Sequence, residues 1–189
     1  MADPDIRRAL YVLFARLLSG APDAQLYRKL RDGGLRNLAA AQGIDLTSDL
    51  LDDEDDQAAA SELGVEWSRL DQDVSLCASD YPSGASDPIA ALGAFLREHR
   101  LQLGRGVDLP PDHLAVALGV MGELAGQADA RTDPDSVARA RAFFLRHLQP
   151  WSQRALSELA ARAERRFYRG VAAMLSAFLE SERIRYQAA

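Results

Sequence analysis

Asp112 and His113 follow Pro110 and Pro111, so two titratable side chains stand where the backbone is stiffened, just ahead of the apolar run LAVALGVM. A carboxylate beside an imidazole suits an acid–base pair. It equally suits a satisfied interior corner, or a site presenting one ring nitrogen to a peptide. Asp112 could also simply cap the helix that follows. The other reactive residue types do not combine. His99, His113 and His147 are 14 and 34 residues apart, without the i, i+4 spacing or cysteine pairs of a local metal site, so neither metal nor cofactor is expected. Ser83, in YPSGAS, lacks the strand-turn-helix setting of a hydrolase nucleophile. Cys77, the one cysteine, excludes an internal disulfide and reads as an inert thiol in a reducing compartment, with the cytoplasm the simplest location. The acidic run Asp52 to Asp56 reads as a helix start that could also attract an arginine pair on a partner.

The elements that must position these residues are helices. The eight prolines, at 4, 22, 82, 88, 110, 111, 134 and 150, fall where one helical pattern stops and another begins. Residues 5 to 19 predict an amphipathic helix with Ile6, Leu10, Leu13 and Leu17 on its inner face. Arg7-Arg8 ahead of an apolar stretch resembles an export signal, but Asp3, Asp5 and Arg16 argue against that reading. Pro22-Asp23 opens a second helix, weakened at Gly33-Gly34 and ending near Gly43. Residues 53 to 75 predict a helix with Leu63, Trp67, Leu70 and Val74 inward. The stretch 77 to 88 has the composition of an exposed loop. Beyond it, Ile89, Leu92, Leu96 and Leu103 mark one helix, and Leu114, Leu118, Met121 and Ala125 the next. Val137, Ala140, Phe144 and Leu148 mark a helix that Pro150 should stop, so that Trp151 begins the last segment. There Leu156, Leu159, Ala163, Phe167, Val171, Met174 and Phe178 keep the period, as one helix or as two divided near Gly170. No alternating pattern argues for a strand. The expectation is an all-α, single-domain helical bundle over residues 1–189.

With 189 residues, 48% of them apolar, the chain is long enough for one core without cross-links. No segment approaches a membrane span, so no membrane insertion is expected. The net charge of −6 divides unevenly: residues 1–138 carry 12 basic and 24 acidic side chains, residues 139–189 carry 10 and 4. This balance argues against nucleic-acid binding, with Arg162, Arg165, Arg166 and Arg169 read as a solvated helix face, and an acidic front half suits a basic partner. Tyr81, in the loop, is the better interface aromatic. Trp67 and Trp151 fall within helical stripes and read first as core.

LYVLFARLL with APDAQLYRKL, EWSRL at 66–70, PPDHLAVAL at 110–118, and FFLRHLQPW with its downstream RRFY follow one another in an order that resembles the TorD/DmsD/NarJ family of molybdoenzyme-specific chaperones. The family's corner carries an acidic residue before the proline and a glutamate four positions after the histidine; Leu109 and Ala117 stand there in this chain. The Glu-Ser-x-Tyr loop signature is also absent. The resemblance implies a TorD-like helical bundle and a cytoplasmic protein that is not an enzyme. It implies a partner too: the apo catalytic subunit of a molybdenum enzyme, frequently gripped at its twin-arginine signal peptide, held for cofactor insertion and kept from export until loaded. On this resemblance Asp112, His113, Pro111, Tyr81, Pro82 and Trp67 are the expected partner-binding residues of a mainly monomeric chain. The alternatives are a helical regulatory or interaction module, and an enzyme using Asp112 and His113 as acid and base.

Overall fold

Aspartates cap half of the α-helices among the described residues. The computed structural model describes residues 4–31, 55–81, 87–103, 108–128 and 133–188. Its α-helices are α1 (Pro4–Leu18), α2 (Ala24–Lys29), α3 (Asp56–Asp73), α4 (Pro88–Glu98), α5 (Leu114–Gln127), α6 (Pro134–Phe143), α7 (Gln149–Arg162) and α8 (Arg166–Ala188). Asp23, Asp55, Asp87 and Asp133 cap α2, α3, α4 and α6, each carboxylate accepting a backbone N–H of the first turn; such a cap contributes roughly 1 kcal/mol. Beyond one antiparallel bridge pair, Cys77 with His113, the described residues form no strand. The chain is all-α, as its periodicity predicts.

It divides into two compact units. The first comprises Met1–Ser19, Leu76–Gln153 and Arg183–Ala189, the second Gly20–Ser75 and Arg154–Glu182.

In the first unit α5 is the central helix, with Leu114, Leu118, Met121 and Ala125 all buried as expected. Its Gly122 faces Tyr11 and Val12 of α1, and Gly126, one turn later, faces Arg8, so α1 and α5 run antiparallel. The buried face of α1 is Arg7, Tyr11, Phe14, Leu17 and Leu18; of the expected stripe Leu17 is buried, Leu10 and Leu13 are half-buried and Ile6 is exposed. Both stripes have helical spacing, but Tyr11 and Phe14 bring more apolar area to the core than the leucines they displace. Arg7 follows them inward because its guanidinium donates to the Tyr186 hydroxyl at 2.7 Å and lies over that ring, 5.5 Å from its centroid.

Helix α4 buries Leu92 and Phe95 but exposes Ile89, and it ends before Leu103. Arg100, in the left-handed region at φ +54°, turns the chain away, with the N–H groups of Arg100 and Leu101 returning to the carbonyls of Arg97 and Leu96. That is a Schellman-type ending built without glycine.

Pro150 does not stop the helical path as expected. The chain passes from α6 through a π-helical turn, Phe144–Leu148, into α7. The Gln149 N–H reaches back five residues to Phe144, widening the turn ahead of the ring that an α-helix would exclude. Trp151 Nε1 donates to the His147 carbonyl at 2.7 Å within the same stretch.

The second unit holds α2, α3, the rest of α7 and most of α8. Leu63, Trp67, Leu70 and Val74 point inward as expected, and so do Leu156, Leu159, Ala163, Phe167, Val171, Met174 and Phe178. The last segment is two helices, yet the break lies at 163–165 rather than Gly170. Its cause is Glu66, whose buried carboxylate accepts the N–H groups of Glu164 and Arg165, each at 2.8 Å, and so caps α8 from another helix. Tyr168 donates its hydroxyl to the Leu63 carbonyl at 3.1 Å and packs on Trp67. Of the basic cluster, Arg165 pairs with Glu62 at 2.6 Å and Arg169 donates to the Glu164 carbonyl. Asp56, from the acidic run, is buried against Arg28 and Arg31 at 2.5 and 2.6 Å, so it holds an arginine pair of its own chain. Asp52, Glu54 and the Gly33–Gly43 stretch lie outside the described residues.

Replacing Glu66 with Ala strands two main-chain donors, and unfolding in urea should show a loss of about 2–4 kcal/mol, with Glu66→Gln, which keeps an oxygen in place of the Oε1 that accepts both, losing less. Burial, and secondarily the Glu66 charge, push the Tyr168 phenol above its ordinary value of 10. The unfolded chain therefore ionises this group first: its contribution is complete below about pH 10 and is lost as pH rises beyond it. Tyr168→Phe should flatten the alkaline fall in stability relative to the wild type.

Candidate functional site

The Asp112–His113 corner is built from main-chain bonds. The His113 N–H closes a turn onto the Pro110 carbonyl at 3.0 Å, and the Leu114 N–H donates to the Leu76 carbonyl at 2.7 Å. Asp112 binds residues 78–79 twice: its carbonyl accepts from the Ala78 N–H at 3.1 Å and its Oδ2 from the Ser79 N–H at 2.9 Å. The helix cap is His113, not Asp112, with Nδ1 accepting from the Ala115 N–H at 3.1 Å. An accepting Nδ1 places the proton of the neutral ring on Nε2. Both side chains are about 95% buried.

The same bonds order the start of the 77–88 stretch, which the sequence reads as exposed. Residues Ala78–Asp80 form a 3-10 turn, and Tyr81 is buried, stacked against Trp151 with ring centroids 6.1 Å apart. Tyr81 thus faces the interior. Pro111 is exposed. Trp67 belongs to the other unit, buried beside Tyr168. Pro82 lies outside the described residues. Asp112, His113 and Tyr81 therefore meet at one corner, with Pro111 at its surface.

Two concavities flank that corner within the first unit. One, of about 220 Å³, is lined by Asp112, Phe143, Arg146, His147 and Trp151 among others. Phe95 packs edge-on against both Phe143 and His147 in its wall. Burial, then the neighbouring Arg146 charge, hold the His147 imidazole below its ordinary value of 6.5. The other is a groove of about 800 Å³ between α1, α5 and the described residues 100–103 and 109–111, walled by Leu101, Leu109, Pro111, Val116 and Val120. Arg16, Arg100 and Glu123 supply its charges. Among the described residues no three His, Cys, Asp or Glu side chains gather into a metal-binding group. With Asp112 and His113 spent on backbone N–H groups, the corner is built to hold main chain, and the groove is a volume suited to apolar side chains.

The family profile of the nitrate reductase delta subunit matches residues 32–157, about two thirds of the chain. The chain belongs to this family. It is a family of molybdoenzyme maturation chaperones, in accord with the resemblance carried by EWSRL, PPDH and FFLRHLQPW. Those three segments fall inside the matched range, whereas the first helix and RRFY lie outside it. No curated protein matches the chain. Glu66, beside Trp67 in EWSRL, carries no local signature of its role, because the two N–H groups it accepts come from residues 164 and 165. The groove residues Arg16, Arg100, Gly119 and Glu123 carry no local signature and emerge only when α1 and α5 are packed.

Asp112→Ala should lower stability by about 1–3 kcal/mol, because the part-buried bond from the Ser79 N–H to a charged acceptor is lost. Asp112→Asn, which keeps an oxygen there, should lower it less. His113→Ala should lower it by about 1 kcal/mol through the lost cap. Chemical denaturation of the three variants checks this order; an unperturbed Asp112→Ala would overturn the corner's structural role.

Proposed function

We propose that this chain is a cytoplasmic, non-catalytic chaperone dedicated to the immature catalytic subunit of a molybdopterin oxidoreductase. It holds that subunit in a state able to take its molybdenum cofactor, and delays export by occupying the twin-arginine signal peptide. The observation that carries the reading is the family match across the Pro110–His113 corner. The physics agrees with it. A polypeptide with an apolar stretch needs a groove it can enter and leave, and micromolar to nanomolar affinity, about −8 to −12 kcal/mol, allows release once the client is loaded. The acidic excess of residues 1–138 favours a partner with a basic leader.

In this reading the chain works as one chaperone domain, mainly monomeric, without nucleic acid and without a cofactor of its own. No described helix is long and apolar enough to cross a membrane. Pro111 contacts the client directly. Asp112, His113 and Tyr81 act by fixing the wall from which Pro111 projects, and Trp67 acts as a framework residue of its unit. Pro82 is kept as a contact by family resemblance. Acid–base chemistry by Asp112 and His113 is disfavoured because each already accepts a backbone hydrogen bond inside the fold.

The test is a deletion strain with the molybdoenzyme encoded nearest the gene. Its catalytic subunit should accumulate without molybdenum and without activity, and the purified chain should capture the precursor but not the loaded enzyme. Full metal content and activity in the deletion strain would overturn the proposal, as would turnover of a small molecule by the chain alone.

A further inference from the structure

We propose that the outward face of α1 docks on the same face of a second copy of this chain, the two helices running antiparallel, in a weak dimer that forms as the chain is concentrated.

Arg7, Tyr11, Phe14 and Leu18 turn inward, so the opposite side of α1 carries Asp5, Ala9, Val12 and Arg16, all of them exposed. Steps of four, three and four residues keep these side chains on one line along the helix. Val12, on the line, is 52% exposed, and Ile6, on its flank, 55%. Half-buried Leu13, seven residues beyond Ile6, lies on that same flank. On the other flank Arg8 is paired with Glu123 of α5. An apolar strip thus stands in solvent between an acidic first turn and a basic last turn.

The order of the line names its occupant. Positions 5 and 16 share their midpoint with positions 9 and 12, between residues 10 and 11. Turned about a two-fold axis at that point, the line meets its own copy with Asp5 opposite Arg16 and Ala9 opposite Val12. Both contacts then occur twice, as an isologous interface requires. A parallel pair would set Asp5 against Asp5 and Arg16 against Arg16, so the charges fix direction as well as register. Opposed helix dipoles agree with the antiparallel choice. Ala9 is small enough for the two axes to approach to about 8–10 Å, which brings Ile6 of one copy over Leu13 of the other.

From Asp5 to Arg16 the contact runs about 16 Å at the helical rise. One helix pair of that length buries less than the roughly 1,000 Å² of a stable specific interface. Exposed ion pairs add little affinity each. The dimer is therefore a minor species beside the monomer until the chain is concentrated.

Sedimentation equilibrium of the full chain at low salt, carried up to about 1 mM where weak complexes populate, should show a monomer passing into a dimer. Asp5→Arg and Arg16→Asp should each weaken the association about tenfold, since each sets like charges opposite one another twice. Mixing the two variants should restore it, because opposite charges then face each other at both ends, a recovery that a folding defect cannot produce. A wild type that stays monomeric throughout overturns the proposal. So do variants that self-associate as the wild type does, or that fail to recover on mixing. Client precursor that a monomeric wild type captures and Asp5→Arg does not assigns this face to the client instead, leaving the chaperone reading intact and the dimer refuted.

Discussion

The hydrogen bond from the Ser79 N–H to the buried Asp112 carboxylate is the constraint on which the first unit's surface depends. Residues 76–81 have little helix of their own, and a chain segment entering an interior must find acceptors for its N–H groups. Asp112 supplies two, through its carboxylate and its carbonyl, while Leu76 repays with an acceptor for Leu114. Once that lattice closes, Tyr81 has a fixed place on Trp151, α5 has a fixed start, and Pro111 is left outside as the rim of the groove. A carboxylate is costly to desolvate, and the main-chain donor of Ser79 offsets part of that cost here.

Glu66 solves the same problem in the second unit. There the irregular point is the corner between α7 and α8, where one buried carboxylate accepts two consecutive N–H groups from a distant part of the chain. The family's motifs thus divide between two tasks. Their charged members hold corners, and their apolar members fill the core.

Helix content and most inward faces were legible in the sequence because period and proline position are local properties. The stripes of α3, α5 and α8 are continuous enough to admit one reading. α1 was not, since Ile6, Leu10 and Leu13 compete with Arg7, Tyr11 and Phe14 at the same spacing, and the inward arginine is made acceptable by the distant Tyr186. The helix start at Asp112 and His113 was legible, but which of the two caps it was not, because a histidine accepting through Nδ1 is an uncommon cap and an aspartate the usual one. The loop reading of Tyr81 failed for a related reason. Composition speaks for solvent exposure, whereas hydrogen bonds from 33 residues away decide the matter.

The π-helical turn at Phe144–Leu148 has a further consequence for how this chain tolerates change. It places one surplus residue in the path, and a single residue is worth roughly 100° of rotation about a helix axis. Trp151 therefore owes its azimuth to the widened turn. Shorten the segment by one residue and the indole swings off the Tyr81 ring, with the ring of Pro150 driven toward the preceding turn; remove the proline alone and the turn loses its reason to stay open. Surplus residue and proline are two halves of one phase adjustment, to be kept or discarded together.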